Sequence, residues 1–312
     1  MYPSTDFTRG LLLARLLPRS IFVGPRSLRL FRLAVRLAYP SWKPRGGAVE
    51  RLDPTVSVRV FRPKSPSRRP IPGVLYIHGG GYVSGNAATG DKFCRRAARE
   101  LGVVAASVEY RLAPEHPYPT PLEDCYAALR WLADQPDVEA DRIAIVGDSA
   151  GGGLAAALAI LATERGDVRP VLQMLSYPMV DDRTVRRTDI DGSRIRLWNQ
   201  RSNRFGWRSY LRGIDSAEMA HGAVPARWDD LSDLPPAWIG VGTNDLFHDE
   251  DLAYAERLRA AGVSCTVHVV PGAYHGFDAF EPRAAVSREF LQARLSVLDK
   301  YLNGDKLSAA AS

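Results

Sequence analysis

From about residue 56 onward the chain alternates between two hydrophobic rhythms. "VSVRVF" (56–61) repeats apolar positions every second residue, the mark of a half-buried strand, and the Pro-rich "RPKSPSRRPIP" after it reads as a surface turn. "GVLYIHGGG" is a buried strand over 73–77 that runs into glycines, "DKFCRRAAREL" takes helical spacing, and "GVVAASVEY" returns to strand. Beyond the Pro-rich connection "RLAPEHPYPTP" come the helix "LEDCYAALRWLA", the short strand "RIAIVG" and the Ala- and Leu-rich helix "GGLAAALAILATER". "VLQMLSYP", "AWIGVGTND" and "CTVHVVPG" follow as strands, with "LAYAERLRAAG" helical before the last of them, and the helix "EFLQARLSVLDKYL" closes the chain. Strands alternating with helices at this spacing predict an α/β fold with a mostly parallel sheet covered on both faces. Sites in such sheets form in the loops beyond the carboxyl ends of the strands.

Two stretches break this rhythm. Residues 181–212 are rich in Arg and aromatic residues, contain no clear strand and read as an insertion. Near the N-terminus, "LLLARLLPRSIF" faintly resembles a signal segment, but Arg15 and Pro18 interrupt it and no small-residue cleavage site follows. No stretch reaches the roughly 18–20 apolar residues of a membrane span. "SLRLFRLAVRLA" places Arg29, Arg32 and Arg36 on one helical face and Leu28, Phe31, Val35 and Ala38 towards another. Such a helix can lie on anionic lipid or pack on its own protein; we read the second.

Composition changes this picture little. The 312 residues are 46% hydrophobic and 24% charged, enough for a sizeable core. The net charge of +6 is uneven, since residues 1–69 hold fifteen Arg or Lys and three acids. No recognition motif accompanies that basic end, so nucleic-acid binding is not expected. The three cysteines, Cys94, Cys125 and Cys265, are odd in number and far apart, which fits a reducing, cytoplasmic compartment and gives no disulfide framework. No His or Cys pairs stand at zinc-ligand spacing, and neither metal nor cofactor is expected.

The chemistry concentrates in "IVGDSAGGG". Ser149 follows an apolar strand and precedes a helix, and a serine on that sharp turn needs small neighbours, which Gly147 and Gly151 are. Its hydroxyl needs a base. His78 and His116 precede the serine, against the order Ser, acid, His of a doubly wound hydrolase. His221 lies before any suitable acid, His248 is three residues from the candidate acid, and His268 sits inside the alternating strand "TVHVV". His275, in "PGAYHGF" just past the last strand, remains. Asp245, at the end of "AWIGVGTND", is the expected orienting carboxylate, with Asp249 a second choice among the helix-initiating acids and Asp278 out of order. "HGGG" (78–81) can supply two backbone donors to a developing oxyanion, and Ala150 a third. No Lys-Ser/Thr follows those glycines, so they are no phosphate loop.

Taken together, "HGGGYVSG", "YRLAPEHPYP", "GDSAGG", "GTNDLFHDE" and "YHGF" resemble, in order and spacing over about residues 55–303, the hormone-sensitive-lipase-like (bacterial family IV) esterases of the α/β-hydrolase superfamily. The resemblance implies an eight-stranded sheet and a Ser149–Asp245–His275 triad. It also places the oxyanion donors on Gly80, Gly81 and Ala150, with His78 and Gly79 bracing that loop. Asp148 and Glu123 would sit in supporting hydrogen-bond networks. It further implies a cap from residues 1–45 and the insertion, over a catalytic domain of residues 46–312. Leu11, Leu12, Leu16, Phe22, Leu28, Phe31 and Val35 would be buried there beside Trp198, Phe205 and Trp207. Two positions depart from the family: Gly153 stands where Asn is frequent, and Leu246 where a Pro usually follows the acid, which would leave the acid loop less rigid. The implied activity is hydrolysis of short- to medium-chain acyl esters of small molecules through an acyl-enzyme. An amidase or deacetylase on the same site is an alternative, and a non-catalytic receptor another, although such receptors lose the histidine. The cap arginines, Arg29, Arg32, Arg194 and Arg201 among them, leave open an acidic substrate, a membrane surface or a solvated face; a homodimer is open as well.

Overall fold

Eight strands form one sheet in the order β1-β2-β4-β3-β5-β6-β7-β8 in the computed structural model, which describes residues 7–8, 10–18, 24–40, 44–64, 70–214 and 222–309. Phe22 and His221 lie outside the described residues. The strands are β1 (Ala48–Arg51), β2 (Ser57–Phe61), β3 (Ile71–Ile77), β4 (Val104–Glu109), β5 (Val138–Asp148), β6 (Leu172–Ser176), β7 (Ala237–Asn244) and β8 (Cys265–Tyr274). β2 runs antiparallel to β1 and β4; all the other pairs are parallel.

The sheet sorts its side chains by alternation. Along β3, Val74 and Tyr76 enter one core while Leu75 and Ile77 enter the other, and Ala144/Val146 and Ile143/Ile145 of β5 divide in the same way. The first core is closed by α2 (Asp91–Leu101) and α8 (Ala285–Ala309), through residues such as Phe93, Phe290 and Leu298. The second is closed by α3 (Thr120–Ala133), α4 (Ala150–Arg165) and α6 (His248–Ala260), through Leu129, Leu158 and Leu258. Because both faces are covered, β3 is buried along its whole length and reads as a continuous apolar run.

Outside the regular α/β core lie α1 (Leu28–Ala38), the connection from β6 to β7 with α5 (Gln200–Tyr210), and the short α7 (Phe277–Phe280) after β8. α5 starts where the Asn199 side chain accepts from the Ser202 N–H, a capping bond that fixes its first turn. One strand was not foreseen. β1, "AVER", has four residues at the sheet edge with half-buried and exposed positions in turn, and carries no apolar run for periodicity to find.

Candidate active site

Ser149 is the link between β5 and α4, and its backbone shows what that position demands. At φ 58° and ψ −123° it occupies a sparsely populated conformation, which costs on the order of 1–3 kcal/mol and persists only where the surroundings enforce it. They do: its N–H donates to the Ser176 carbonyl (2.9 Å), and its carbonyl accepts from Gly153 and Met179 (3.0 Å each). A Cβ on Gly147 would lie 2.1 Å from the Gly151 carbonyl oxygen, and one on Gly151 2.2 Å from that of Ile77. Only glycines let strand, turn and helix approach so closely.

The turn lifts the Ser149 hydroxyl to 2.8 Å from His275 Nε2. His275 follows β8, and its Nδ1–H donates to Asp245 Oδ2, also at 2.8 Å. That bond fixes the tautomer and leaves Nε2 as the acceptor for the serine hydroxyl. Asp245 follows β7; its other oxygen, Oδ1, accepts from the Phe247 N–H at 2.9 Å, and its side chain is wholly buried. Tyr177 and Phe247 meet the imidazole edge-on, with ring centres 4.9 and 5.2 Å away. Leu246, where the resemblance led one to expect a proline, is buried in the core, and the loop is held by the Asp245–Phe247 bond and by His248 N–H donating to the Asp245 carbonyl.

The glycine loop after β3 lies against the serine: a Cβ on Gly79 would meet the Asp148 carbonyl at 2.8 Å and Ser149 Cβ at 3.1 Å. Gly80 and Gly81 take positive φ (125° and 62°), and the Gly80 carbonyl accepts from the N–H groups of Val83 and Ser84 and from the Ser84 hydroxyl. Among the described residues, no acceptor takes the N–H of Gly80, Gly81 or Ala150. Beneath the loop, His78 Nδ1–H donates to the Gly79 carbonyl (2.8 Å), and its ring stacks on Tyr110 at 4.2 Å. Burial pushes its imidazole down to about 4, so it stays neutral.

Asp148 belongs to a buried network that the sequence reading named only in part. It accepts from the Tyr76 hydroxyl (2.6 Å) and from Arg294 of α8 (2.7 Å). Arg294 also lies 3.7 Å from Asp278, which accepts from the Tyr177 hydroxyl at 2.7 Å. The network joins the residue before the serine to the turn after the histidine. Arg294 gave no sequence signal, since a lone Arg in a C-terminal amphipathic helix reads as a surface residue. Glu123 is placed elsewhere: it pairs with Arg165 on the surface and touches nothing in this network. Asp249 binds Arg187 and His248 and does not reach His275, and His268 sits in β8 between Trp238 and Phe290.

A cavity of about 250 Å³ opens above Ser149. Its walls are Phe31, Val35 and Tyr39 of the α1 region, Leu197 and Trp198 of the β6–β7 connection, and Ala279 and Phe280 of α7. The N-terminal segment binds both neighbours: Leu13 N–H donates to Glu281, Arg196 donates to the Ala14 carbonyl, and Leu197 N–H to that of Pro18. Several expected burials are corrected. Leu11 and Leu28 are buried and Phe31 and Val35 are half-buried, but Leu12 and Leu16 are 79% and 81% exposed. Trp198 lines the cavity, whereas Trp207 packs against Tyr82 and Tyr210 in the core. Arg32 does not share a solvated face with Arg29 and Arg36; it reaches inward to the Val83 and Ala113 carbonyls and pairs with Glu115.

Residues 74–279 match the family described as the alpha/beta hydrolase fold. The esterase LipI of Mycobacterium tuberculosis is 35% identical over 80% of this chain and 79% of its own. An ethyl acetate hydrolase of Pseudomonas putida is 37% identical over 72% of this chain and 71% of its own. Among solved structures, a bacterial heroin esterase superposes with a TM-score of 0.83 at 32% identity, covering 96% of this chain and 98% of that one.

Proposed function

Since the chain belongs to the hormone-sensitive-lipase-like esterases of the α/β-hydrolase fold and is a carboxylic ester hydrolase, we propose that Ser149, His275 and Asp245 form its catalytic triad. As the Ser149 oxygen bonds to the ester carbonyl carbon, its proton passes to His275 Nε2 and the carbonyl electron pair moves onto oxygen. The N–H groups of Gly80, Gly81 and Ala150 receive that oxyanion, each worth on the order of 3 kcal/mol. Collapse breaks the bond to the alcohol, which leaves with the proton from His275. Water then attacks the acyl-enzyme by the same route and frees Ser149. Asp245 holds the imidazole tautomer and stabilises the imidazolium.

The observation that carries this reading is the relay of two 2.8 Å contacts, Ser149 to His275 and His275 to Asp245. The apolar cavity of about 250 Å³ supports a short- to medium-chain acyl group, being smaller than the roughly 300–1,000 Å³ of sites for drug-sized ligands. The test is a series of p-nitrophenyl esters of increasing acyl length, with matched anilides, combined with an organophosphate label. We expect kcat/KM to peak at short chains, anilides to turn over far more slowly, and a single adduct on the peptide holding Ser149. An adduct on another serine, with Ser149→Ala still active, overturns the triad; faster turnover of the anilides favours an amidase.

A further inference from the structure

Nine large apolar side chains stand exposed among the described residues, and eight of them lie in the N-terminal segments or on α7. Leu12, Leu13 and Leu16 form one group and Leu30, Leu33 and Leu37 another, with exposures from 43% to 81%. The second group repeats at i, i+3 and i+7, a continuous stripe along α1 on the side away from Phe31 and Val35. Phe280 joins the groups to the site, lining the catalytic cavity with Tyr39 and an outer depression with Leu12 and Leu13. Leu12 and Leu13 therefore adjoin the cavity through Phe280, and the Leu30/Leu33/Leu37 stripe covers the outer side of the helix that walls it. Exposed patches of this kind mark interaction surfaces.

Charge selects the partner. Residues 7–49 contain nine Arg or Lys and no Asp or Glu. Arg15, Arg26, Arg29 and Arg36 are exposed and form no ion pair among the described residues. A second copy on a two-fold axis would set this basic surface against itself without a single acid from the segment to offset it. We propose that this surface docks the enzyme on a phospholipid surface that carries acidic headgroups. The leucines enter the acyl boundary, the arginines meet the headgroups, and the cavity mouth faces the lipid phase. What docking achieves rests on the ester-hydrolase reading; docking itself is measured without turnover.

The test is co-sedimentation of the full chain with phosphatidylcholine vesicles, with and without phosphatidylglycerol, at low and high salt. We expect binding to the phosphatidylglycerol vesicles at low salt and its loss at high salt, where screening removes the headgroup attraction. Leu30→Ser/Leu33→Ser/Leu37→Ser should weaken partitioning about tenfold or more, and Arg26→Glu/Arg29→Glu should abolish the preference for acidic vesicles. Both variants should hydrolyse soluble p-nitrophenyl acetate as the parent does, which reports that they are folded. Parent protein that stays in solution with both vesicles, or a leucine variant that binds like the parent, overturns the proposal. A parent dimer that the leucine variant splits would assign the face to a second copy. Vesicle binding by a protein that hydrolyses no ester would sink the ester reading alone.

Discussion

The family resemblance leads one to expect Asn at position 153, and the neighbours of Gly153 explain why this chain has none. A Cβ there would lie 2.1 Å from the Met179 carbonyl oxygen and 2.4 Å from the Tyr82 hydroxyl, which itself donates to that carbonyl at 2.9 Å. Tyr82 has taken the space a side chain at 153 would need. Gly153→Asn should therefore lower the urea midpoint by an amount equivalent to about 1–3 kcal/mol, the usual cost of overpacking a core; an unchanged midpoint would show that Tyr82 can swing away. The histidines separate just as sharply. His275→Ala should lose activity by about a thousandfold or more, while His248→Ala and His268→Ala should keep most of it. A reversed ranking in steady-state assays would overturn the choice of base.

At the level of elements, one side chain makes most of the polar contacts that hold α1 over the cavity, beside the bond from Asn86 Nδ2 to the Tyr39 carbonyl (2.8 Å). Arg32 donates from Nε to Val83 (2.7 Å), from Nη2 to Ala113 (2.8 Å) and from both terminal nitrogens to Glu115 (2.8 Å each), so its guanidinium ties α1 to the loops beside the glycine turn. Arg32→Ala should raise KM roughly tenfold by freeing α1, since charge-assisted bonds are the strong ones, and should leave kcat for a small ester nearly unchanged; a fall in kcat with KM constant would mean that α1 carries no part of the binding wall. This helix also shows where sequence reading stopped. β5, the serine turn and α4 were legible because an apolar run, three small residues and an Ala-rich helix stand side by side. α1 carries two apolar rows, and the one expected to be covered, Leu28/Phe31/Val35, is the one the protein covers, while the second, Leu30/Leu33/Leu37, was given no place by the sequence and stands exposed. Nor could periodicity show that Arg32 turns inward, because its partners come from a different part of the chain. The Asp148–Arg294–Asp278 network was hidden for the same reason: its members are brought together only by the packing of α8 on the sheet.

At the scale of the molecule, buried ionisable groups make stability depend on pH in opposite directions. His78 is buried and held neutral, its value lowered from 6.5 to about 4. A histidine depressed in the folded state contributes stability that is present above its unfolded value and lost as pH falls from about 6.5 towards about 4. Asp251 is the opposite case. It is fully buried in the first turn of α6, neither carboxyl oxygen finds a partner among the described residues, and burial first, then the Glu250 and Asp245 charges, raises its value well above the ordinary carboxylate range. A carboxyl raised on folding stabilises fully below its unfolded value and loses that contribution as pH climbs towards its folded one. Asp251→Asn removes the ionisation and keeps the shape. The variant should therefore resist urea better than the parent at neutral pH, with an advantage that grows as pH rises above the ordinary carboxylate range. His78→Asn keeps a donor near the position of Nδ1 while removing the titration, so although it loses the stack on Tyr110, its stability should decline less steeply than the parent's between about pH 6.5 and about pH 4. Urea midpoints measured from acid through neutral pH check both slopes. An Asp251→Asn advantage that stays constant with pH would mean that Asp251 does not change its charge state on folding, and any loss of stability with rising pH would then have to come from Glu250, which is buried beside it and likewise raised.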